Sequence, residues 1–314
     1  MSSLRVLVLT NMFPTESHPA LGTFVADQVA SLQRIGVDVD VLFLDPRKTR
    51  LNYLKGPMRL RRQLRAKRYD VIHAHYVFCG AIAVTQRRLP VVVTHHGIEV
   101  LTMWTAPLSR WVSRVAELTI VTSQEMADRL PGTPLVIPCG VDLDLFRPMP
   151  RDEARRELGL PLDTPLILFA GQPRPEKRLD IVRRASEMLT RSGRAAELIV
   201  VSDQPHRHMP LWMNAADVLA LVSTHEGSPM VVKEAMACGL PIVSTRVGDV
   251  AEVIGTTEGC FLCAQEVGDV TAKLEDALAF GHRTDGRARV ESLSLDRIAR
   301  RLGEVYRQTC GDRV

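Results

Sequence analysis

Residues 217–245 read DVLALVSTHEGSPMVVKEAMACGLPIVST. The stretch opens with an apolar run of strand length, passes through a polar turn, and continues as a helix-length segment that stops at Gly239. A second apolar run, PIVST, follows. Continuous apolar strands are typical of a parallel sheet buried on both faces, and glycine is favoured just beyond a helix end. The stretch therefore predicts one β–α–β unit.

The same alternation of strands and helices fills both halves of the chain. Runs such as RVLVLT, DVIHAHY and VVVTHH precede a polar, proline-rich linker near residues 146–165, and the pattern restarts at LILFAG. At roughly 100–200 residues per domain, a chain of 314 residues holds two. We predict an α/β fold of two Rossmann-like, doubly wound domains with an interdomain cleft. The predicted bounds are 1–148 and 149–293, and residues 294–314 form a C-terminal helix that could pack back on the first domain.

The composition is that of a globular protein, with 46% hydrophobic and 24% charged residues and a net charge of +4. No apolar run approaches the ~18 residues that span a bilayer, and the N-terminus does not resemble a signal peptide. Six scattered cysteines suit reduced thiols. Cys260 and Cys263 form a CxxC without a second pair, which favours buried structural thiols over a zinc site. We therefore expect a cytoplasmic protein.

The turn inside the opening stretch has the features of an anion site. Ser228 is a natural helix N-cap and Pro229 a natural first helical residue. The amides of Met230 and Val231 would then point out of the helix start, where the helix dipole favours a negative group such as a diphosphate.

Two glutamates lie on either side of this turn. Glu226 precedes the helix, and Glu234 follows within it, ~9 Å along the axis from Ser228 at 1.5 Å per residue. Ionised carboxylates accept hydrogen bonds from hydroxyl groups, so the order hydroxyls, phosphates, hydroxyls matches a sugar joined by diphosphate to a ribose. Either glutamate alone could be a surface residue, but both together, with Gly227 and Ser228 between them, favour a ligand site. Glycosidase carboxylates, which flank one bond, fit less well.

The segment HEGSPMVVKEAMACGLPIVSTRVGDVAEVI resembles the E-x7-E region of the retaining glycosyltransferases of family 4, whose fold is GT-B. DVIHAHYVFCGAIAVTQRRLPVVVTHHGIE, VIPCGVDLDLFRP and LFAGQPRPEKRLDIVRRA resemble further segments of that family in the same order. The resemblance implies sugar transfer from a nucleotide-diphosphate sugar to a hydroxyl acceptor in polysaccharide, glycolipid or other glycoconjugate synthesis. It implies no metal and no other cofactor. Glu226 would contact the donor sugar and Glu234 the ribose.

The resemblance also assigns residues outside the glutamate pair. Lys177 matches the diphosphate-binding lysine of the family. Gln172 stands where the family usually has arginine, and we expect Arg174 or Arg178 to replace it.

On the acceptor side, His96 matches a histidine beside the donor sugar and phosphate. A neutral or protonated imidazole there could hydrogen-bond the sugar or stabilise the leaving group. Gly22 and Thr23 match a glycine loop at the start of a helix.

Other functions remain open at this point. His73, His75, His95, His96 and Glu99 could instead form the site of a metal-dependent hydrolase, since HxH at a strand end is a known ligand spacing. A sugar-nucleotide epimerase of the same fold, or a silent nucleotide-sugar binder, is a further alternative.

The segment 47–68 contains ten lysines and arginines. It could be a solvated helix, a nucleic-acid patch or an amphipathic face for anionic lipid, with Met58, Leu60 and Leu64 as anchors. Nucleic acid is not expected, because aromatic residues do not alternate with the basic ones. Two interpretations stay open, a solvated helix and peripheral contact with the inner face of the plasma membrane through the attraction of basic segments to acidic lipid.

Overall fold

The computed structural model describes residues 4–19, 21–49 and 51–311. The chain divides into two compact units. Unit 1 contains the described residues up to Gly140 and those from Leu295 onward, and unit 2 is Val141–Ser294.

Unit 1 is built on a sheet of six parallel strands in the order β2-β1-β3-β4-β5-β6. Its strands are β1 (Arg5–Thr10), β2 (Asp38–Phe43), β3 (Val71–His75), β4 (Val91–His95), β5 (Leu118–Val121) and β6 (Leu135–Val136). Its helices are α1 (Thr23–Arg34), α2 (Leu51–Ala66), α3 (Val77–Ala83), α4 (Ile98–Leu101), α5 (Ala106–Val115), α6 (Gln124–Ala127) and the C-terminal α14 (Leu295–Cys310). Strands β3 and β4 are buried along their whole length, as continuous apolar runs predict.

Unit 2 is built on five parallel strands in the order β11-β10-β9-β7-β8. The strands are β7 (Leu166–Ala170), β8 (Glu197–Val201), β9 (Val218–Leu221), β10 (Ile242–Thr245) and β11 (Cys260–Cys263). The helices are α7 (Arg151–Leu158), α8 (Leu179–Arg191), α9 (Met209–Ala215), α10 (Met230–Ala237), α11 (Val250–Ile254), α12 (Val267–Phe280) and α13 (Gly286–Val290). Short 3-10 turns lie at Pro175–Lys177, His206–His208 and Glu291–Leu293.

The boundary between the units lies at Gly140, whereas the sequence analysis put it after residue 148. The reason is that 141–148 packs on unit 2: Val141 and Phe146 are fully buried in its core, and the amide of Val141 donates to Leu293 O at 2.9 Å. The predicted linker 146–165 likewise contains α7, which packs against α9.

The C-terminal helix belongs to unit 1. Its apolar stripe, which includes Leu295, Leu302 and Tyr306, is buried, and α14 packs against α1 and β3. Arg34 of α1 donates to Asp296 at 3.0 Å. A 3.6-residue apolar repeat on a helix at the chain end is what such docking requires.

Strand β11 lies in the CFLC run that was interpreted only as a pair of buried thiols. Cys260 packs with the core cluster that contains α10, whereas Cys263 packs with the one that contains α8 and α12. Residues three apart on a strand point to opposite faces, so the two thiols cannot bind one metal ion. Burial raises the pKa of each thiol to about 12.

Helix α2 corrects two of the proposed lipid anchors. Leu60 is fully buried and Leu64 packs against the core of unit 1, while Met58 is exposed. Gly56 allows α2 to lie close to α3, since a Cβ there would lie 2.6 Å from Ile82 Cδ1.

Of the basic residues in the segment 47–68, Arg50 lies outside the described residues. Within the described ranges, no helix is long and apolar enough to cross a bilayer.

Arg155 of α7 holds the segment that leads into β7. By volume it is the largest fully buried side chain among the described residues. It donates to four carbonyl oxygens and one carboxylate, those of Pro161, Leu162, Thr164, Ala215 and Asp217, at 2.6–3.0 Å. The Asp217 carboxylate also accepts the Leu166 amide at 2.6 Å.

We expect Arg155→Met to lower the free energy of unfolding of unit 2 by about 3–5 kcal/mol, because four carbonyl oxygens and the partly buried Asp217 carboxylate lose the fully buried guanidinium to which they are bonded. Arg156→Met, on the exposed face of the same helix, is the matched control and should change it little. Urea denaturation followed by circular dichroism measures both. Equal midpoints for the two variants would contradict the assigned role.

Candidate functional site

In unit 2 the loop after β9 leads into α10, the predicted anion site. The helix begins at Met230 with Pro229 in the capping position. Pro229 thus takes the N-cap position predicted for Ser228, and Met230 the first helical position predicted for Pro229, so both predictions are wrong by one residue. The Ser228 hydroxyl donates to Asp249 Oδ2 at 2.7 Å. Met230 and Val231 are the first two helical residues, and the amides of a first helical turn have no acceptor within the helix.

A buried ion pair supports this helix start. Lys233 is fully buried and its ammonium donates to Asp249 Oδ2 at 2.7 Å and to the hydroxyl of Ser228. Sequence reasoning missed both charged residues. The available signal was a lysine inside the otherwise apolar run VVKEAMA, which in a buried helix requires a partner.

Gly248 holds the Glu226–Gly227 loop from the other side. It has φ +55°, and a Cβ there would lie 2.4 Å from Gly227 O. Gly248 therefore packs on the backbone of Gly227, and only glycine fits both the space and the conformation.

Lys177 and Glu226 form an ion pair, with both side chains largely buried. The amide of Thr224 donates to Glu176 O at 2.8 Å and joins the two loops beside them. The structure thus brings together the cation and the first carboxylate that the sequence analysis selected separately. In this pair each group neutralises the other.

Arg174 and Arg178 are the two candidates for the arginine that the family has in place of Gln172, and their surroundings differ. Gln172 donates to Asp203. Arg178 is held by both oxygens of Asp180 at 3.0 Å and by Gln265 at 3.2 Å. Arg174 has a side chain that is 63% exposed and lies 3.9 Å from Glu176. Arg174 is therefore the one that can turn toward an anion with little loss of existing contacts.

Glu234 is buried and accepts a hydrogen bond from His206 Nε2 at 2.8 Å. The His206 ring packs on Phe146, with ring centroids 5.3 Å apart. His206 was not selected from the sequence. It lies in the short connection between β8 and α9, a segment that carries little regular structure to signal its position.

His96 of unit 1 follows β4 and faces inward. Its Nε2 lies 2.9 Å from His75 Nδ1, and its Nδ1 lies 3.9 Å from Cys139 Sγ. Burial, with His75 and His95 nearby, lowers the pKa of His96 well below its usual value. The lowered pKa favours the neutral form of the ring.

The glycine loop lies beside this histidine. Gly22 has φ +61°, and a Cβ there would lie 2.5 Å from Met12 C, so the loop packs directly on the backbone after β1. Helix α1 starts at Thr23, and the next residue, Phe24, packs on the His96 ring with centroids 4.9 Å apart. Gly22, Thr23 and His96 are thus brought together within unit 1.

The remaining histidines do not form a metal centre. His73 contacts hydroxyls through both nitrogens, at 2.6 Å to Tyr306 and 2.7 Å to Thr94. Burial lowers the pKa of His75 to about 3. Glu99 accepts the His96 amide at 2.8 Å. The part of the chain that the structure describes contains no group of three His, Cys, Asp or Glu side chains able to hold a metal ion.

We expect Lys233→Met to destabilise unit 2 by about 3–5 kcal/mol, because it leaves the Asp249 carboxylate buried without its cation. Adding Asp249→Asn should restore much of that loss, since the neutral amide no longer needs a counter-charge. Thermal unfolding of the two single variants and the double variant measures the coupling. Additive losses would show that the pair does not support the helix start.

Two protein-family models match the chain. The model described as Glycosyltransferase Family 4 matches residues 4–145, and the one described as Glycosyl transferases group 1 matches residues 205–279. The first match contains His96 and the glycine loop, and the second contains Glu226 and Glu234.

Curated relatives carry the same kind of name. The chain is 27% identical over 324 residues to the putative teichuronic acid biosynthesis glycosyltransferase TuaC of Bacillus subtilis (strain 168), covering 80% of this chain and 83% of that protein. It is 31% identical over 240 residues to a D-inositol 3-phosphate glycosyltransferase of Xylanimonas cellulosilytica, covering 59% of this chain and 58% of that one. The chain therefore spans less than two thirds of the second relative.

Solved structures share the fold at low sequence identity. Sucrose-phosphate synthase from Thermosynechococcus elongatus superposes with a TM-score of 0.79 at 20% identity, over 97% of this chain and 98% of that one. HepE of Anabaena, in complex with UDP-glucose, gives 0.73 at 17% identity, over 96% and 99%. The prediction of two parallel-sheet α/β domains of the GT-B type is confirmed.

Proposed function

Because the chain belongs to glycosyltransferase family 4, we propose that it moves a sugar from a nucleotide-diphosphate sugar to a hydroxyl acceptor with retention at the anomeric carbon. The observation that carries the proposal is the arrangement of Lys177, Glu226 and Glu234 around the start of α10. These are a cation, a helix N-terminus and two carboxylates, which match a diphosphate between two hydroxyl-bearing sugars.

The Lys177–Glu226 ion pair supports a role in donor binding. A diphosphate arriving at the helix start would compete for the Lys177 ammonium, since phosphate oxygens are strong acceptors for charged donors. Glu226, no longer paired with the lysine, would then accept hydrogen bonds from the sugar hydroxyls. Arg174 is the second cation we propose for the diphosphate. We propose that Gly227, Ser228 and Pro229 shape the loop on which the phosphates lie.

For the chemical step we propose front-face displacement. The bond between the anomeric carbon and the diphosphate oxygen breaks, the acceptor oxygen bonds to that carbon on the same face, and the acceptor proton passes to the departing diphosphate. In this scheme Glu226 accepts hydrogen bonds from the sugar hydroxyls, and we assign it no covalent bond to the anomeric carbon. The amides of Met230 and Val231 would stabilise the charge that develops on the leaving group.

His96 would contribute as a neutral group. Since both of its ring nitrogens face other side chains of unit 1, we propose that its contact with the donor requires the ring to turn away from His75. We propose that Gly22 and Thr23, which lie beside it, serve the acceptor.

The names of related proteins support the substrate class. HepE was solved with UDP and with UDP-glucose, and TuaC is named for teichuronic acid biosynthesis. By analogy we propose a nucleotide-sugar donor, no metal, and an acceptor that belongs to polysaccharide, glycolipid or other glycoconjugate synthesis.

The experiment is a donor panel that begins with UDP-glucose, with and without candidate acceptors and with chelator present. Release of free nucleotide only when acceptor is present indicates transfer, and NMR of the product gives its anomeric configuration. Interconversion of sugar nucleotides without acceptor would indicate an epimerase. Binding without turnover of any donor, or activity that disappears with chelator, would overturn the proposal.

We expect Glu234→Ala to raise the donor KM by about tenfold or more and Glu226→Ala chiefly to lower kcat by a similar factor, each through loss of a hydrogen bond to a charged group. Initial-rate kinetics over a range of donor concentrations measures both. Glu252→Ala, an exposed glutamate of α11, is the control. Unchanged kinetics in both site variants would contradict the assignment.

We expect His206→Ala to raise the donor KM severalfold with little change in kcat, because Glu234 loses the partner that orients its carboxylate. The control is His208→Ala, an exposed histidine two residues along the same turn. Isothermal titration with the nucleoside diphosphate alone separates binding from turnover. Tighter binding by the His206 variant would mean that the imidazole competes with the ribose for Glu234.

A further inference from the structure

The exposed large apolar side chains are concentrated on one part of unit 1. Nine such residues occur in the described ranges, and two of them, Met188 and Val200, belong to unit 2. The other seven lie on α2 and on the segment 103–115, and they are Leu51, Leu54, Met58, Met103, Trp104, Trp111 and Val115. Single exposed apolar residues are ordinary, whereas a concentration of them marks an interaction surface.

On α2 the exposed residues form one stripe. Leu51, Leu54 and Met58 recur at helical spacing, and Arg61, Arg62 and Arg65 continue the stripe toward the C-terminal end. The opposite side is fixed to the core by Leu60. The helix thus presents an apolar half followed by a basic half to solvent.

The segment 103–115 presents a second stripe of the same kind. Met103 is 93% exposed and Trp104 is 76% exposed, and Trp111 is exposed on α5 together with Arg110 and Arg114. Buried Ser109 and Val112 fix the opposite side of α5.

The two stripes flank α3. Both α2 and α5 pack against α3, and the ring of Phe78 on α3 lies 5.3 Å from Tyr53 of α2 and 6.2 Å from Trp104. This row of aromatic rings connects the exposed residues of α2 to Trp104. We call the exposed stripes of α2 and 103–115 together the α2–α5 surface.

The charge of this surface has one sign. The segments 51–66 and 103–115 contain seven lysines and arginines and no aspartate or glutamate, in a chain with 36 acidic residues and a net charge of only +4. The basic groups of this surface are therefore not balanced within its own segments.

We propose that the α2–α5 surface docks the protein on a bilayer with anionic headgroups. Leu51, Leu54, Met58 and Met103 would enter the headgroup–acyl boundary, as the apolar face of an interfacial helix does. Trp104 and Trp111 are of the residue type that prefers the membrane interface, and the arginines would meet acidic lipid. Single-stranded nucleic acid is the rival occupant, and it gives a different result in the test.

The test uses the complete chain and vesicles of phosphatidylcholine with or without about one third phosphatidylglycerol. We expect the protein to sediment with the vesicles that contain phosphatidylglycerol and not with those of phosphatidylcholine only. Salt should weaken this binding, because it screens the attraction between the arginines and the acidic lipid. Arg61→Glu combined with Arg62→Glu should reduce partitioning by at least about 25-fold, at about fivefold for each near-surface cation. The matched control is the exposed pair Arg300→Glu and Arg301→Glu of α14, which should leave partitioning close to wild type.

The apolar contribution is tested separately. Leu54→Ser combined with Met58→Ser should reduce vesicle binding, whereas Met188→Ser combined with Val200→Ser should not. Brominated lipids should quench the fluorescence of Trp104 and of Trp111, each followed in a variant that keeps it as the one tryptophan. The fluorescence of Trp212, which packs against the core of unit 2, should be unaffected. Equal recovery with and without anionic lipid, or binding to oligonucleotide but not to vesicles, would overturn the proposal. Circular dichroism verifies that each variant is folded.

Discussion

The buried ion pair between Lys233 and Asp249 is the contact on which the site in unit 2 depends. It connects α10 to the turn before α11 and includes the hydroxyl of Ser228 from the loop that precedes α10. A single charge buried at that depth is strongly unfavourable, so the two segments are stable only when they are together. Gly248 adds a backbone contact to Gly227 beside the same turn. The position of the loop is therefore fixed by structure behind it and does not require a ligand.

The two glutamates of the site already have partners of the kind that a nucleotide sugar would replace. Glu226 is paired with Lys177 and Glu234 accepts from His206. A carboxylate shielded from water is unfavourable without a hydrogen-bond or charge partner, and each of these two has one within the protein. A ligand that offers both phosphates and hydroxyls can satisfy the lysine and the carboxylates together. This explains why opposite charges lie in contact at a place where an anion is proposed to bind.

Sequence patterns predicted the sheets well because buried parallel strands are continuous apolar runs, and they located the loop before α10 because Gly, Ser and Pro mark a turn. The sequence patterns failed where the role of a residue depends on a partner far away in the sequence. Ser228 has the sequence of an N-cap, yet Asp249, 21 residues later, engages its hydroxyl. His206 and Lys233 acquire meaning only from the partners that the fold brings to them. Strand β11 was missed because four residues are too few to distinguish a strand from any other apolar run.

Unit 1 separates its ionisable groups into two environments. His73 and His75 of β3 are buried, and burial lowers the pKa values of both and of His96, which follows β4. They can order the side chains around them and exchange hydrogen bonds with them. The cations of α2 and α5 are exposed, so their field acts on whatever approaches that face. Salt screens exposed charges, so ionic strength strongly affects the attraction between the α2–α5 surface and any anionic partner. It has very little effect on the hydrogen bonds among the histidines, because buried groups are poorly screened.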